Sequence, residues 1–299
     1  MTPVVLALPG NEVLAGSLAT QLGAELGQSE CRRFPDGESY VRIDTEVRDW
    51  DAILVCTLDR PDPKLLPLLL MAAAARDLRA AKVGLVCPYL PYMRQDKRFR
   101  PGEAVSSAYF ATLLGGAVDW LVTVDPHLHR HSSLGEIFSI PASVVHASPL
   151  ISAWIREHRN DAFLIGPDSE SLQWIASVAE GAGVPYAVLH KVRRGDREVE
   201  ISLADLAGQE RRTPVLVDDI ISTAGTMIAA VGALKKRGWA PPVCIGVHAV
   251  FAEGAHARLL AAGAAEIVTC DTIPHETNRI DLSGLIAGAV RSLVAPGPG

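Results

Sequence analysis

The stretch Val215-Leu-Val-Asp-Asp-Ile-Ile-Ser-Thr-Ala-Gly-Thr-Met227 decides how the rest of the chain is read. Val215 to Val217 is an apolar run of buried-strand type. Asp218 and Asp219 stand at its C-terminal end, and a loop of small residues follows: Ser222, Thr223, Ala224, Gly225 and Thr226. From Met227 to Lys236 the apolar spacing is helical. Strand, acidic pair, small-residue loop and helix together make a phosphate cradle, in which hydroxyls, backbone N–H groups and the helix N-terminus converge on one anion. Gly225 is expected to allow close backbone approach and either sign of φ. The carboxylates cannot help bind phosphate but suit hydroxyls or a divalent ion. The pattern therefore predicts a ligand with a phosphate and a diol, accompanied by Mg2+. The competing reading is a buried strand ending in a solvated acidic turn. A nucleotide-binding P-loop, G-x-x-x-x-G-K-[ST], occurs nowhere in the chain.

Outward from this stretch, 299 residues suffice for two domains of ordinary size. Hydrophobic residues make up 48% and aromatics only 5%, which suits an Ala/Val/Leu-rich α/β core. A formal net charge of -6 argues against nucleic acid or an anionic membrane as the main partner. Small anionic substrates stay open, because local arginine clusters can bind them. The five cysteines are widely spaced without a C-x-x-C, and three of them lie in apolar strand-like runs. Buried thiols in a reducing cytoplasm are expected. Met1 to Leu8 lacks the basic start and long apolar core of a signal peptide. The longest apolar run, Leu65 to Ala75, is too short to span a bilayer.

Strand-like and helical segments alternate along the whole chain. Expected strands are 4–8, 52–57, 82–87, 120–124, 162–165, 186–190, 197–203, 215–217, 243–247 and 266–270, with extended pieces 31–34 and 39–43 about the turn Pro35-Asp-Gly37. Expected helices are 12–26, 63–78, 104–114, 150–157, 169–180, 227–236, 253–262 and 282–293, with Ser148 as N-cap and Pro149 at the first position of one of them. Such alternation predicts mostly parallel sheets with helices on both faces. The two halves share one rhythm, with a seam near His146 to Ser148, so the predicted domains are 1–147 and 148–299. Ligands in such sheets bind beyond the carboxyl ends of strands.

The loops at those ends carry the other candidates. Phe34-Pro-Asp-Gly-Glu38 joins an aromatic, a turn and the acids Asp36 and Glu38; a hairpin tip explains it equally. Pro91 to Glu103 packs Arg94, Lys97, Arg98 and Arg100 into one loop, together with Gln95 and Asp96. It reads as a solvated basic loop or as counter-charge for a polyphosphate. Thr123 to His131 offers His127, His129 and His131 at spacing two, and Pro167-Asp168 ends another strand. Lys191-Val-Arg-Arg194 follows the strand ending at His190 and reads alone as an exposed basic hairpin.

The stretch 215–227 resembles the 5-phosphoribosyl-diphosphate (PRPP) loop of phosphoribosyltransferases and PRPP synthetases. With the segments Phe34–Glu38 and Pro91–Glu103, which phosphoribosyltransferases lack, the chain resembles the ribose-phosphate diphosphokinases (PRPP synthetases), and the resemblance extends through His127, Asp168 and Lys191 to Thr226. The resemblance implies an α/β fold of two similar phosphoribosyltransferase-type domains, each a mostly parallel sheet flanked by helices. It also implies diphosphoryl transfer from Mg-ATP to the C1 hydroxyl of ribose 5-phosphate, with Mg2+ as cofactor.

Family roles then fall on particular residues. Phe34 and Arg94 would sandwich adenine, Asp36 and Glu38 would read its edge, and Gln95 and Asp96 lie beside it. Phe34, Asp36 and Glu38 are implied to come from a neighbouring subunit of a homo-oligomer, a dimer or a multiple of dimers. His127 is implied to ligate Mg2+, and Asp168 to hold ribose or metal. Asp218 and Asp219 would hold the ribose diol, Ser222 to Thr226 the 5-phosphate, and Lys191 and Arg193 would be catalytic. The chain departs from the family's P-D-x-G-G at Ser169-Glu170-Ser171, where both glycines are replaced. His129 and His131 match no family role and read as polar loop residues. The alternatives are a phosphoribosyltransferase of base salvage and a catalytically silent regulatory paralogue of the synthetase.

Overall fold

The computed structural model of the chain describes residues 3–128, 130–167, 171–194, 198–202 and 208–294. The chain divides into two units, Met1–Val145 with Ser283–Gly299, and His146–Leu282.

Unit 1 begins with β1 (Val4–Ala7), α1 (Glu12–Leu22), β2 (Glu25–Leu26), β3 (Ser29–Arg33), β4 (Ser39–Ile43) and β5 (Asp51–Val55). It continues with α2 (Pro61–Asp77), β6 (Lys82–Val86), α3 (Ser106–Ala117), β7 (Trp120–Val124) and β8 (Ala142–Val145). A six-stranded parallel sheet runs β2-β1-β5-β6-β7-β8. Ala52 to Val55 and Val4 to Leu6 are fully buried, as a sheet covered on both faces requires. The helical periodicity of 12–26 overruns the true helix. Gly23 takes a left-handed conformation (φ 62°, ψ 32°), and its N–H caps α1, so Leu26 enters β2 instead.

Unit 2 holds α4 (Ser148–His158), β9 (Ala162–Gly166), α5 (Leu172–Ala182), β10 (Tyr186–Val188), β11 (His190–Arg194) and β12 (Glu198–Ser202). Then come β13 (Thr213–Ile220), α6 (Gly225–Lys236), β14 (Val243–His248), α7 (Ala255–Ala262), β15 (Glu266–Cys270) and β16 (Asn278–Ile280). Its six-stranded sheet runs β10-β9-β13-β14-β15-β16, again parallel. Ala147 rather than Ser148 occupies the N-cap of α4, and no side chain bonds there.

The two units repeat one topology. In each sheet the strand order is second, first, third, fourth, fifth, sixth, and in each an antiparallel hairpin is inserted between the second and third strands: β3–β4 and β11–β12. Order reverses between the first and third strands, β1/β5 in unit 1 and β9/β13 in unit 2. Such a switch point opens a crevice beyond the strand ends. The last helix, α8 (Ser283–Val294), belongs to unit 1 and not to the C-terminal half expected from sequence. It buries Ile286, Ala287 and Val290. Gln21 of α1 donates to Ser283 Oγ at 2.6 Å, and Arg291 donates to the Gln21 carbonyl at 2.6 Å.

Candidate active site

At the unit 2 switch point, β13 is central, paired to β9 on one side and β14 on the other. Asp218 and Asp219 are its half-buried last turn of pleat before Ile220, and the Asp219 N–H donates to Asp218 Oδ1 at 3.0 Å. The loop that follows is tied down from below. The Ile221 N–H donates to the His248 carbonyl at 3.0 Å, the Phe251 N–H to the Ile221 carbonyl at 2.9 Å, and the Ala252 N–H to the Ser222 carbonyl at 3.1 Å. Ile221 itself is only 1% exposed. It packs over Gly246 of β14, where a β-carbon would stand 2.6 Å from Ile221 Cγ1 and 2.7 Å from Cδ1. Arg258 of α7 completes the clamp by donating to the Thr223 carbonyl at 3.0 Å.

The loop's conformational demand falls on Ala224, not Gly225. Ala224 is left-handed (φ 58°, ψ 12°) and serves as the N-cap of α6. Gly225 does not have positive φ, and a β-carbon there would meet only Thr223 Oγ1 at 3.7 Å. Glycine at 225 therefore leaves open space at the helix start instead of relieving backbone strain. The left-handed alanine aims the first turn of α6, with its unpaired N–H groups, at the crevice. Thr226 is half-buried in that turn and Thr223 is exposed.

Across the switch point, β9 ends at Gly166, where a β-carbon would lie 2.4 Å from Ser171 Oγ. Ser171, one of the departures from the family pattern, thus sits against the end of β9. Asp168 lies outside the described residues, as does His129. Lys191 and Arg193 are on β11, in register with Ile201 and Val199 of β12. The basic segment is thus one strand of a two-stranded ribbon, described as far as its backbone.

In unit 1 the hairpin β3–β4 presents Phe34, Asp36 and Glu38 at its exposed tip. The Phe34 N–H donates to the Glu38 carbonyl at 2.8 Å, the Gly37 N–H to the Phe34 carbonyl at 2.9 Å, and the Glu38 N–H to Asp36 Oδ1 at 3.2 Å. Gly37 supplies φ 94°, which a side chain rarely adopts. Within the chain, the guanidinium over the Phe34 ring is that of Arg32, at 4.7 Å, and not that of Arg94. Phe34 is 39% exposed, so one face of a large ring meets solvent.

The loop 91–103 divides into anchors and exposed cations. Gln95 Oε1 accepts from Ser106 Oγ at 2.8 Å, at the start of α3. The Asp96 side chain is only 3% exposed and pairs with Arg130 Nη1 at 2.5 Å. Both side chains hold the loop, while Arg94, Lys97, Arg98 and Arg100 are exposed. His127 is half-buried after β7, two residues beyond Asp125, which is buried and has φ 31°. His131 is a structural residue: its Nδ1 lies 3.0 Å from Glu136 Oε2. Hydrogen bonds from Ser132 and then His131 hold the Glu136 carboxyl below its usual range.

Unit 1 has its own switch-point crevice, lined by Leu8, Pro9, Arg33, Cys56, Pro63 and Lys64. It is not a second phosphate cradle. Pro61 and Pro63 remove N–H donors from the start of α2, and Lys64 is bound to Asp59. Sequence reasoning missed Arg258 and Gly246, which lie outside the motif already singled out. Ala224 was expected among the loop residues, but its left-handed backbone was not.

The fold and the strand–acid pair–loop–helix arrangement at β13 define a two-unit α/β enzyme of phosphoribosyl chemistry. Residues 4–117 match the N-terminal domain of ribose phosphate pyrophosphokinase, and residues 133–282 match the phosphoribosyl transferase domain. The chain is 37% identical to the ribose-phosphate pyrophosphokinase of Methanopyrus kandleri, over 97% of this chain and 99% of that one. It is 35% identical to that of Methanothermobacter thermautotrophicus, over 96% of this chain and all of the other. The phosphoribosylpyrophosphate synthetase structure from Mycobacterium smegmatis superposes with a TM-score of 0.84 at 30% identity, covering 98% of this chain and 99% of that one. The chain belongs to the ribose-phosphate pyrophosphokinase family, and the diphosphoryl transfer that the family name describes is its activity. Among the described residues, no helix is long and apolar enough to cross a membrane.

Proposed function

We propose that the unit 2 crevice binds ribose 5-phosphate and that the chain transfers the diphosphoryl group of Mg-ATP to its C1 hydroxyl, releasing AMP. The observation that carries this reading is the end of β13: two adjacent carboxylates, then a loop anchored by buried Ile221 whose left-handed Ala224 turns the α6 N-terminus toward the crevice. Asp218 and Asp219 accept hydrogen bonds from the ribose 2- and 3-hydroxyls, while Ser222, Thr223, Thr226 and the N–H groups of 224–226 hold the 5-phosphate. Diol and phosphate contacts together fix the sugar, so that C1–OH meets the β-phosphorus in line with the AMP leaving oxygen. Positioning and charge neutralisation then account for most of the catalysis. Lys191 and Arg193 neutralise charge on the transferring group.

The donor set fits a hard cation: His127 and Asp168 would hold Mg2+, which when bound neutralises phosphate charge and orients the chain of phosphates. Adenine stacks between Phe34 and Arg94, with Asp36 and Glu38 at its edge and Gln95 and Asp96 beside it. Phe34 is packed on its own chain by Arg32 and the edge of Tyr40 yet stays 39% exposed, which supports a hairpin that serves a neighbouring copy in a homo-oligomer. Five free thiols, four of them buried, suit a reducing cytoplasm.

AMP formation from ribose 5-phosphate and Mg-ATP tests the reaction. Complementation tests the shared site. A Phe34→Ala/Asp36→Ala/Glu38→Ala protein and a Lys191→Ala protein, each inactive, should regain activity when mixed. Mixed oligomers shown by mass spectrometry of tagged subunits that stay inactive would place the whole site within one chain.

A further inference from the structure

Outside the active site, His256, His275 and Glu276 bring one ligand atom each within 4.8 Å of one another, the one such group of three found among the described residues. His256 lies in the first turn of α7, and the other two lie in the loop between β15 and β16. His256 Nδ1 already pairs with Glu276 Oε1 at 3.4 Å. The imidazole centroids are 5.0 Å apart at 77°, so the rings meet edge to face and do not stack face to face. The Phe251 ring packs against both imidazoles, at 5.3 Å from His256 and 4.5 Å from His275.

We propose that His256, His275 and Glu276 form a site for a borderline divalent transition ion, Zn2+ or Co2+ in chemistry, distinct from the hard-cation site of the reaction. Two imidazoles and one carboxylate make a donor set suited to such ions and poorly suited to Mg2+. Tetrahedral donors about 2.1 Å from a zinc ion stand about 3.4 Å apart. The His256–Glu276 pair is at that spacing, and the three ligand atoms lie within 4.8 Å of one another, so side-chain movement about the metal would have to close the rest. An outer partner is in place as well. His275 Nδ1 lies 2.9 Å from Thr277 Oγ1, which is bonded in turn to Thr269 Oγ1 at 2.8 Å. The Thr277 N–H donates to the same Nδ1 at 3.2 Å, so Nδ1 is an acceptor and the ring proton sits on Nε2. Nε2 is the nitrogen that would take a metal, releasing that proton on binding, while the contacts to Thr277 orient the ring. A fourth position is left to water or an incoming donor.

The site would pin three segments together: the start of α7, the loop before β16, and Phe251. Phe251 and Glu253 hold left-handed backbones, with φ 42° and 54°, in a strap that bonds the phosphate loop at Ile221 and Ser222. The metal would therefore brace the floor of the phosphate loop without touching substrate.

The test uses the full chain with Mg2+ in large excess, so that hard-oxygen sites are saturated, and titrates in Co2+. One equivalent per chain should give the visible absorption of four- or five-coordinate Co2+ without thiolate charge-transfer bands. His256→Gln and His275→Gln should each weaken binding at least tenfold, and Thr277→Val by about tenfold through the outer shell. Zn2+ should raise the melting temperature of the wild-type chain and leave that of the His256→Gln/His275→Gln variant unmoved. Circular dichroism and AMP formation in Mg2+ alone should be unchanged in these variants, which excludes misfolding as the cause. Co2+ uptake equal in wild type and double variant, or no uptake by the wild type, would overturn the proposal.

Discussion

Gly246→Ala tests whether the floor of the phosphate loop sets sugar-phosphate binding. The added β-carbon would lie 2.6 and 2.7 Å from two Ile221 atoms, far inside the ordinary carbon contact distance of about 3.5 Å. Ile221 has little freedom to yield. It is buried, its N–H is bound to the His248 carbonyl, and its carbonyl is bound to the Phe251 N–H. The strain must appear as lost stability, as a raised loop, or as both. Overpacking of this kind costs about 1–3 kcal/mol. If half of it, about 0.5–1.5 kcal/mol, lifts Ser222 and the α6 N-terminus from the 5-phosphate, the KM for ribose 5-phosphate rises about two- to tenfold. ATP KM should hold. AMP formation at varied ribose 5-phosphate, with thermal melts in parallel, measures both effects. Ile221→Ala removes the clashing atoms, so the double variant should bind sugar phosphate no worse than Ile221→Ala alone. An unchanged KM in Gly246→Ala, or fully additive losses in the cycle, would refute the steric argument.

Thr226→Val keeps shape but removes a hydroxyl from the first turn of α6; the KM for ribose 5-phosphate should rise by about 1.5–3 kcal/mol, and steady-state kinetics would read an unchanged KM as a different phosphate site. Lys191→Ala and Arg193→Ala should each lower kcat by orders of magnitude with little change in ATP KM; the reverse pattern would make them docking charges. Asp271 is mostly buried, and burial pushes its carboxyl up to about 6 despite the Leu282 N–H donated to it at 2.9 Å. Because the folded pKa lies above the unfolded one of about 3.9, the folded state binds more protons between them, and stability falls as pH rises through that window. Asp271→Asn should therefore raise stability at pH 7 by roughly 1–3 kcal/mol and flatten urea-measured stability between about pH 4 and 6; an unchanged slope would assign the pH dependence to other groups.

The acid pair, the phosphate loop and the hairpin tip at Phe34 were legible because each is a short run whose spacing matches one local geometry. Alternation of strand and helix likewise exposed two parallel sheets, since period 2 and period 3.6 are properties of neighbouring residues. Edge strands β8 and β16 were not legible. Each has four residues or fewer and is held by pairing to β7 or β15, so its own sequence carries little signal. Helix α1 was overrun because a left-handed glycine ends it without breaking the apolar pattern on either side.

By itself, the sequence determined the fold class, the family, and the order of strand, acid pair, small-residue loop and helix at 215–236. All of these are written in spacings of a few residues. The tertiary structure alone decided that α8 returns to unit 1, and that Asp96 is clamped by Arg130, 34 positions away. It also put the loop's strain on Ala224, rested Ile221 on Gly246, and bound Thr223 to Arg258, 35 positions on. These are contacts between segments brought together only when sheets and helices pack. No local period encodes them, because each partner's choice is fixed by the space and the bonding groups that the other segment leaves to it.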